Sequence, residues 1–338
     1  MKTERLLTGS LPAVVSHCIA PQRLKIELIN INRPIRALSM LTPVLFVHGL
    51  GGQRRGTWTA DGDDGQDVFW PEQFLAQDLP KARILIFGYD SKFLSASESV
   101  SQNRMENYAA DLCSSLASAR SSADTSKRPI LLVAHSLGGL VCAQALVIGD
   151  RSSAGTDTHS ISSCVRGMVF FGTPFRGSKA AGLSERILRI VGMFWSNTSA
   201  ANVKDLTEDS ETLRILRSAF PELLSKRNES PQKIHVTFFY EQLKTNRVMI
   251  VDEESATIPG QGEKISIRAN HLDMCKFETR EDDVYKTVVR QLEKMIAKIM
   301  NGKPSSENAP KYQIRNDRCA IGSIGDVGSQ VNNFQIPQ

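Results

Sequence analysis

What this chain of 338 residues lacks narrows its chemistry first. Its six cysteines (Cys18, Cys113, Cys142, Cys164, Cys275 and Cys319) show no C-x-x-C or C-x-x-H spacing. That argues against a zinc site and a dense disulfide framework, and thiols lying inside apolar runs read as reduced core residues of an intracellular protein. No stretch approaches the roughly 20 apolar residues of a membrane-spanning helix. Residues 11–20, broken by Pro12, Ser16 and His17, make a poor secretory leader. The charge excess is small, 41 Lys and Arg against 36 Asp and Glu, a formal +5. No basic block is interleaved with aromatics, so no nucleic-acid partner is expected. A soluble chain is left, with peripheral membrane contact open, and 41% hydrophobic residues suffice for one large core.

What is there centres on residues 129–140, P-I-L-L-V-A-H-S-L-G-G-L. An unbroken apolar run over 130–134 has the length and branching of a strand buried on both faces. It meets Ser136, then Gly138 and Gly139, then an Ala-, Leu- and Val-rich helical run over 140–148. A strand turning at a serine straight into a helix is the arrangement that exposes a nucleophile at a sharp bend, usually written G-x-S-x-G. Here Ala134 stands at the first position, a mild departure. An ordinary serine at a strand–helix junction is the alternative reading of the pentapeptide alone.

Along the chain, 24–31 alternates polar and apolar residues as a half-wet strand does, and 43–48 is a second, apolar strand ending in H-G-L-G-G. A helix is expected over 69–79 opening at Pro71, a strand over 83–89, and a helix over 103–119. Strands are expected at 165–171, 233–240, 248–251 and 263–267, and a closing helix over 282–300 has Val284, Val288, Leu292, Met295 and Ile299 on one face. Strands alternating with helices mean a mostly parallel central sheet flanked by helices, with the site beyond the carboxyl ends of the strands.

A serine nucleophile needs a base within hydrogen-bond reach, itself oriented by an acid. With the order Ser, acid, His along the chain, only His159, His235 and His271 follow Ser136. His159 falls in a Ser/Thr/Gly-rich loop, and His235 lies inside a strand with no suitable acid before it. His271 follows the last strand and is the expected base. Glu241 ends its strand and is the favoured acid, with Asp252 and Glu253 as rivals; Asp273 comes after the histidine and breaks the order. The backbone N–H of Leu137, and of Leu50 in H-G-L-G-G, are the expected oxyanion donors. His48 reads as a residue that orients that loop. The glycine-rich loop lacks the Lys-Ser/Thr of a phosphate-binding loop. No metal or organic cofactor is called for.

Taken together, H-G-L-G-G, W-P, R-I-L-I-F-G-Y, A-H-S-L-G-G-L-V, F-F-G-T-P-F-R-G-S, F-F-Y-E and A-N-H-L-D-M-C-K-F resemble the SERAC1-like (DUF676-type) serine esterase and lipase domain. The likeness covers roughly residues 40–300. It implies an α/β-hydrolase fold, a lipid or acyl-ester substrate, and nucleophile, acid and base at Ser136, Glu241 and His271. To the cytoplasmic or peripherally membrane-associated location expected from composition, the resemblance adds the endoplasmic reticulum and mitochondrion. The family usually reads G-T-P-H-R-G, whereas this chain has Phe175 in place of the histidine, a change expected to bear on the pocket. Fungal members stand alone or precede NACHT and ankyrin receptor modules.

Two further expectations follow. Residues 176–231, helical and amphipathic with Met193, Phe194 and Trp195 expected as an exposed cluster, are expected to form a lid that meets acyl chains or a membrane surface. Residues 301–338 read as a polar linker and a Gly-, Asn- and Gln-rich tail similar to the amyloid-signalling segments of fungal receptor clusters, giving a route to a receptor or to self-assembly. The runner-up to catalysis is accordingly an effector whose hydrolase body serves as a membrane-associated scaffold.

Overall fold

The computed structural model describes residues 26–29, 41–62, 65–89, 91, 103–121, 123–177, 182–194 and 211–301. The leader-like segment 11–20, Trp195 and the tail 302–338 lie outside them.

Among the described residues, seven strands form the main sheet: β1 (Ile26–Leu28), β2 (Thr42–Val47), β5 (Ala82–Phe87), β6 (Ile130–His135), β7 (Val165–Phe171), β8 (His235–Glu241) and β9 (Glu263–Ile267). Their order is β1-β5-β2-β6-β7-β8-β9. Only the edge strand β1 runs antiparallel; the other neighbours are parallel. The remaining strands, β3 (Thr59–Asp61) and β4 (Asp67–Phe69), form a separate antiparallel hairpin around the acidic loop after T-W-T.

The central strands read as apolar runs because both faces are covered. Successive side chains of one strand go to opposite layers. Leu45, Val47, Leu132, Ala134, Phe170 and Phe238 face one core, and Val44, Phe46, Leu131, Val133, Phe171 and Phe239 face the other. The first layer is covered by α1 (Asn103–Ser118), α2 (Leu137–Arg151), α3 (Asp157–Cys164), α4 (Leu183–Phe194) and α5 (Glu211–Asn228). The second is covered by α6 (Asp283–Asn301), which buries Tyr285, Val288, Leu292, Met295 and Ile296, and by Trp58 and Trp70. This is the α/β-hydrolase fold, with a mostly parallel central sheet flanked by helices. Among the described residues, no helix is long and apolar enough to cross a membrane.

Three local expectations need correction. Residues 248–251 do not continue a strand. Asn246 and Arg247 take positive φ (48° and 68°), and the chain makes a tight turn with only an isolated bridge between Thr245 and Val248. His159 lies in helix α3, not in a loop, because the Thr156 hydroxyl caps that helix by accepting from the His159 N–H. In the segment 176–231, Leu183, Ile187 and Ile190 of α4 and Leu213, Leu216, Phe220, Leu223 and Leu224 of α5 are buried in the core. Met193 is half-buried against that core rather than exposed.

Candidate active site

β6 carries the serine to its place. All six of its residues are buried, and the chain then reverses into α2 at Ser136, which holds φ 53° and ψ −132°. A non-glycine residue at positive φ is strained. The bend is pinned by the Ser136 N–H donating to the Phe171 carbonyl at 2.8 Å and by the Gly139 N–H donating to the Ser136 carbonyl at 3.0 Å. The two glycines after it are steric requirements. A Cβ at Gly138 would stand 2.3 Å from the His48 carbonyl oxygen, and one at Gly139 would stand 2.0 Å from the Thr173 hydroxyl oxygen.

Across the bend lies His271. Its Nε2 is 3.0 Å from the Ser136 Oγ, and its Nδ1 is 3.1 Å from Glu241 Oε2. The His271 and Glu241 side chains are fully buried. Glu241, at the end of β8, uses its other oxygen: Oε1 accepts from the N–H of Ile250 at 2.5 Å and of Val251 at 2.6 Å. A buried carboxylate needs such partners to offset lost hydration. The residue expected as base thus lies between Ser136 and the residue expected as acid. Asp252 does not join them: it caps the helical turn Glu253–Ala256 and pairs with Arg186. Burial raises its pKa, but the Ser255 N–H and the Arg186 guanidinium outweigh that and hold it below the usual carboxylate range.

The loop bearing His271 is tied down from several sides. Its N–H donates to the Thr245 hydroxyl. Asn270 Oδ1 accepts from the N–H groups of Leu272 and Asp273, an Asx turn. Trp70 Nε1 donates to the Cys275 carbonyl at 2.9 Å. This is the physical use of the W-P motif. Gly172, at φ 53°, leaves room for the ring; a Cβ there would stand 3.0 Å from both Cε1 and Nδ1 of His271.

Leu137 opens α2, so its N–H belongs to the first turn, where backbone donors have no intrahelical acceptor and the dipole favours negative charge. The Leu50 loop lies against the same place: a Cβ at Gly49 would stand 2.7 Å from the Ser136 Cβ. His48 shapes this loop. Its Nδ1 donates to the Gly49 carbonyl at 2.9 Å, its Nε2 accepts from the Tyr89 N–H at 3.4 Å, and its ring stacks on Tyr89 at 4.4 Å. Burial pushes its pKa down to about 4.

One residue escaped the sequence reading. His135, next to the serine, is buried, and its Nε2 donates to the His271 carbonyl at 2.9 Å. Burial, then repulsion from His271, pushes its pKa down to about 3. Its place in A-H-S-L-G was visible, but nothing in the sequence pairs it with residue 271.

A cavity of about 200 Å3 opens between Leu140, Phe175, Leu183, Leu216, Phe220 and Ile258. Leu140 is one helical turn on from Ser136. Phe175 stacks on Phe220 at 5.7 Å and meets Phe170 edge-on at 4.9 Å.

The profile of the PGAP1-like alpha/beta domain matches residues 40–234, more than half of the chain. The chain belongs to this family. The matched stretch contains Leu50, Ser136 and Leu137, while Glu241 and His271 lie beyond it. This PGAP1-like chain is similar to human Protein SERAC1, at 27% identity over 285 residues, covering 79% of this chain and 40% of that protein. The mouse Protein SERAC1 is 28% identical over 275 residues, covering 77% and 39%. The PGAP1-like chain thus spans about 40% of the length of the curated relatives it matches. Among solved structures, it is similar to the mature lipase BlEst2 of Bacillus licheniformis at 16% identity and a TM-score of 0.45, covering 78% of this chain and 97% of that one. The esterase RhEst1 of Rhodococcus sp. shows 17% identity and a TM-score of 0.43, covering 81% and 94%.

Proposed function

We propose that this chain is a serine hydrolase that cleaves a carboxylic ester, an acyl lipid above all, through an acyl-enzyme. The observation that carries the reading is the unbroken line from Ser136 Oγ through both nitrogens of His271 to Glu241, with the serine at a strained bend.

Ser136 Oγ attacks the ester carbonyl as its proton passes to His271 Nε2, while Glu241 holds the ring by Nδ1 and stabilises the imidazolium. The tetrahedral oxyanion is received by the N–H groups of Leu137 and Leu50, donors held ready before charge develops. His271 then gives the proton to the departing alcohol, leaving the acyl group on Ser136. Water, deprotonated by His271, attacks the acyl-enzyme; the acid is released and Ser136 regains its proton. This chemistry requires no metal and no organic cofactor.

The apolar cavity beside Leu140 and Phe175 supports an acyl group as the part of the substrate held there. An engineered cavity of about 150 Å3 takes up benzene, so this one suits an apolar group of roughly six to eight carbons. Membrane contact through the segment 176–231 fits a lipid substrate and belongs to the same proposal.

The test is labelling by a fluorophosphonate probe, with p-nitrophenyl esters, thioesters and peptides compared as substrates. Labelling and ester cleavage are expected in the native chain and lost in Ser136→Ala. An intact label in that variant, or a preference for peptides, would overturn the assignment.

A further inference from the structure

Helix α4 reaches the far end of the Ser136–His271–Glu241 line through Arg186, with Arg189 beside it. Arg186 is only 1% exposed despite its charge. Its Nη1 donates to the Ile250 carbonyl at 2.7 Å, and its Nη2 donates to Asp252 Oδ2 at 2.7 Å. One turn on, Arg189 donates to the Met249 carbonyl at 3.2 Å while held by Glu185 at 2.5 Å. Residues 249–252 are thus gripped from α4.

The same residues hold the Glu241 carboxylate. The Ile250 carbonyl and the Val251 N–H belong to one planar peptide unit. Arg186 donates to the oxygen of that unit, and Glu241 Oε1 accepts from its N–H at an N···O distance of 2.6 Å. A cation on the carbonyl polarises the N–H opposite, and hydrogen bonds in such a chain strengthen one another. Oε1 is held there and by the Ile250 N–H, while Oε2 lies 3.1 Å from His271 Nδ1.

We propose that Arg186 is a positioning residue for Glu241, acting through the Ile250–Val251 peptide, so that the seating of α4 sets the alignment of the Glu241–His271 pair. The inference rests on the reading of the site given above. It also means that the segment 176–231 is more than a cover: removing it removes the support of the acid.

The experiment measures fluorophosphonate labelling of the full chain, separating the maximal labelling rate from the half-saturating probe concentration. It compares native protein with Arg186→Met, Arg186→Lys, Glu241→Gln, the double variant Arg186→Met/Glu241→Gln, and Ser136→Ala. Arg186→Met is expected to lower the maximal rate about 10- to 100-fold with half-saturation unchanged, as for a small misplacement of a catalytic group. In the Glu241→Gln background the same change is expected to cost less than about twofold, because the residue it acts through is already disabled. Arg186→Lys, which keeps the charge, restores part of the rate. The downfield proton resonance of His271 Nδ1–H is expected to weaken in Arg186→Met.

Equal fold losses in both backgrounds, or a native rate in folded Arg186→Met, would overturn the role of Arg186. If Arg186→Met does not fold, Asp252→Asn carries the same cycle, since it loosens the guanidinium from its other side and keeps a capping side chain. Labelling that survives Ser136→Ala overturns the reading of the site itself. Labelling lost in Ser136→Ala yet unmoved by Arg186→Met and by Asp252→Asn overturns only this inference.

Discussion

His135 donates from its Nε2 to the backbone carbonyl of His271 across 2.9 Å, joining the residue before the serine to the residue that faces it. The two rings lie 5.1 Å apart. The bond ends on the backbone, so it fixes where the His271 loop sits without touching the reacting atoms. His135→Phe is expected to lower kcat about tenfold or more, with KM for a soluble ester unchanged. His135→Gln, whose amide nitrogen reaches the same place, recovers most of the loss. Steady-state kinetics on the two variants decide this, and equal activity in both would remove the role.

Two of the buried histidines, His48 and His135, make folding stability depend on pH. His48 and His135 have folded pKa values of about 4 and about 3, against 6.5 for the unfolded chain. Below 6.5 the unfolded state binds protons that the folded state refuses, so stability is complete above that pH. It is lost as pH falls toward 4 and then 3, at about 1.4 kcal/mol per pH unit for each histidine. His235, half-buried and also lowered by burial, adds in the same direction. Urea unfolding at pH 7, 6 and 5 is expected to show this slope, reduced by one histidine's share in His135→Gln. A flat profile from pH 7 to 5 contradicts the burial of both rings as neutral groups.

Gly172 separates stability from activity. Alanine there takes a positive φ, at a cost of roughly 1–2 kcal/mol, and its Cβ presses on the His271 ring and the Met274 sulfur. Gly172→Ala is expected to stay folded, with a reduced melting temperature, while losing about 100-fold in kcat through displacement of the ring. Thermal unfolding and kinetics on one preparation check both; full activity would mean that the ring moves aside without consequence.

Phe175 walls the cavity and packs on Phe170, Phe220 and Phe238. Phe175→Ala is expected to destabilise by about 3–5 kcal/mol, the usual cost of emptying an aromatic core position. Phe175→Leu costs less, enlarges the cavity, and is expected to move the optimum among p-nitrophenyl esters toward longer acyl chains. An unchanged chain-length profile would place the acyl group elsewhere.

Much of the frame was legible from local pattern. The strands at Val165–Phe171 and Glu263–Ile267 and the helices at Asn103–Ser118 and Asp283–Asn301 follow from apolar runs and helical spacing. The bend at Ser136 follows from small residues flanking a serine between a strand and a helix. Residues 248–251 misled because V-M-I-V has the composition of a strand. Two of its N–H groups are taken by Glu241, and the turn at Asn246 and Arg247 leads the chain away from the sheet.

The sequence alone determined the order of the elements, the serine at the junction, and a short list of partners in the chain order Ser, acid, His. Those depend on side-chain periodicity and steric freedom within a few residues, which the chain carries locally. Only the tertiary structure decided that His271 Nε2 stands 3.0 Å from Ser136 Oγ, that His135 anchors the loop of His271, and that Arg186 grips the peptide on which Glu241 rests. Each is a contact between residues distant in sequence, and its geometry is set by how the sheet and helices pack together, a property no local pattern encodes.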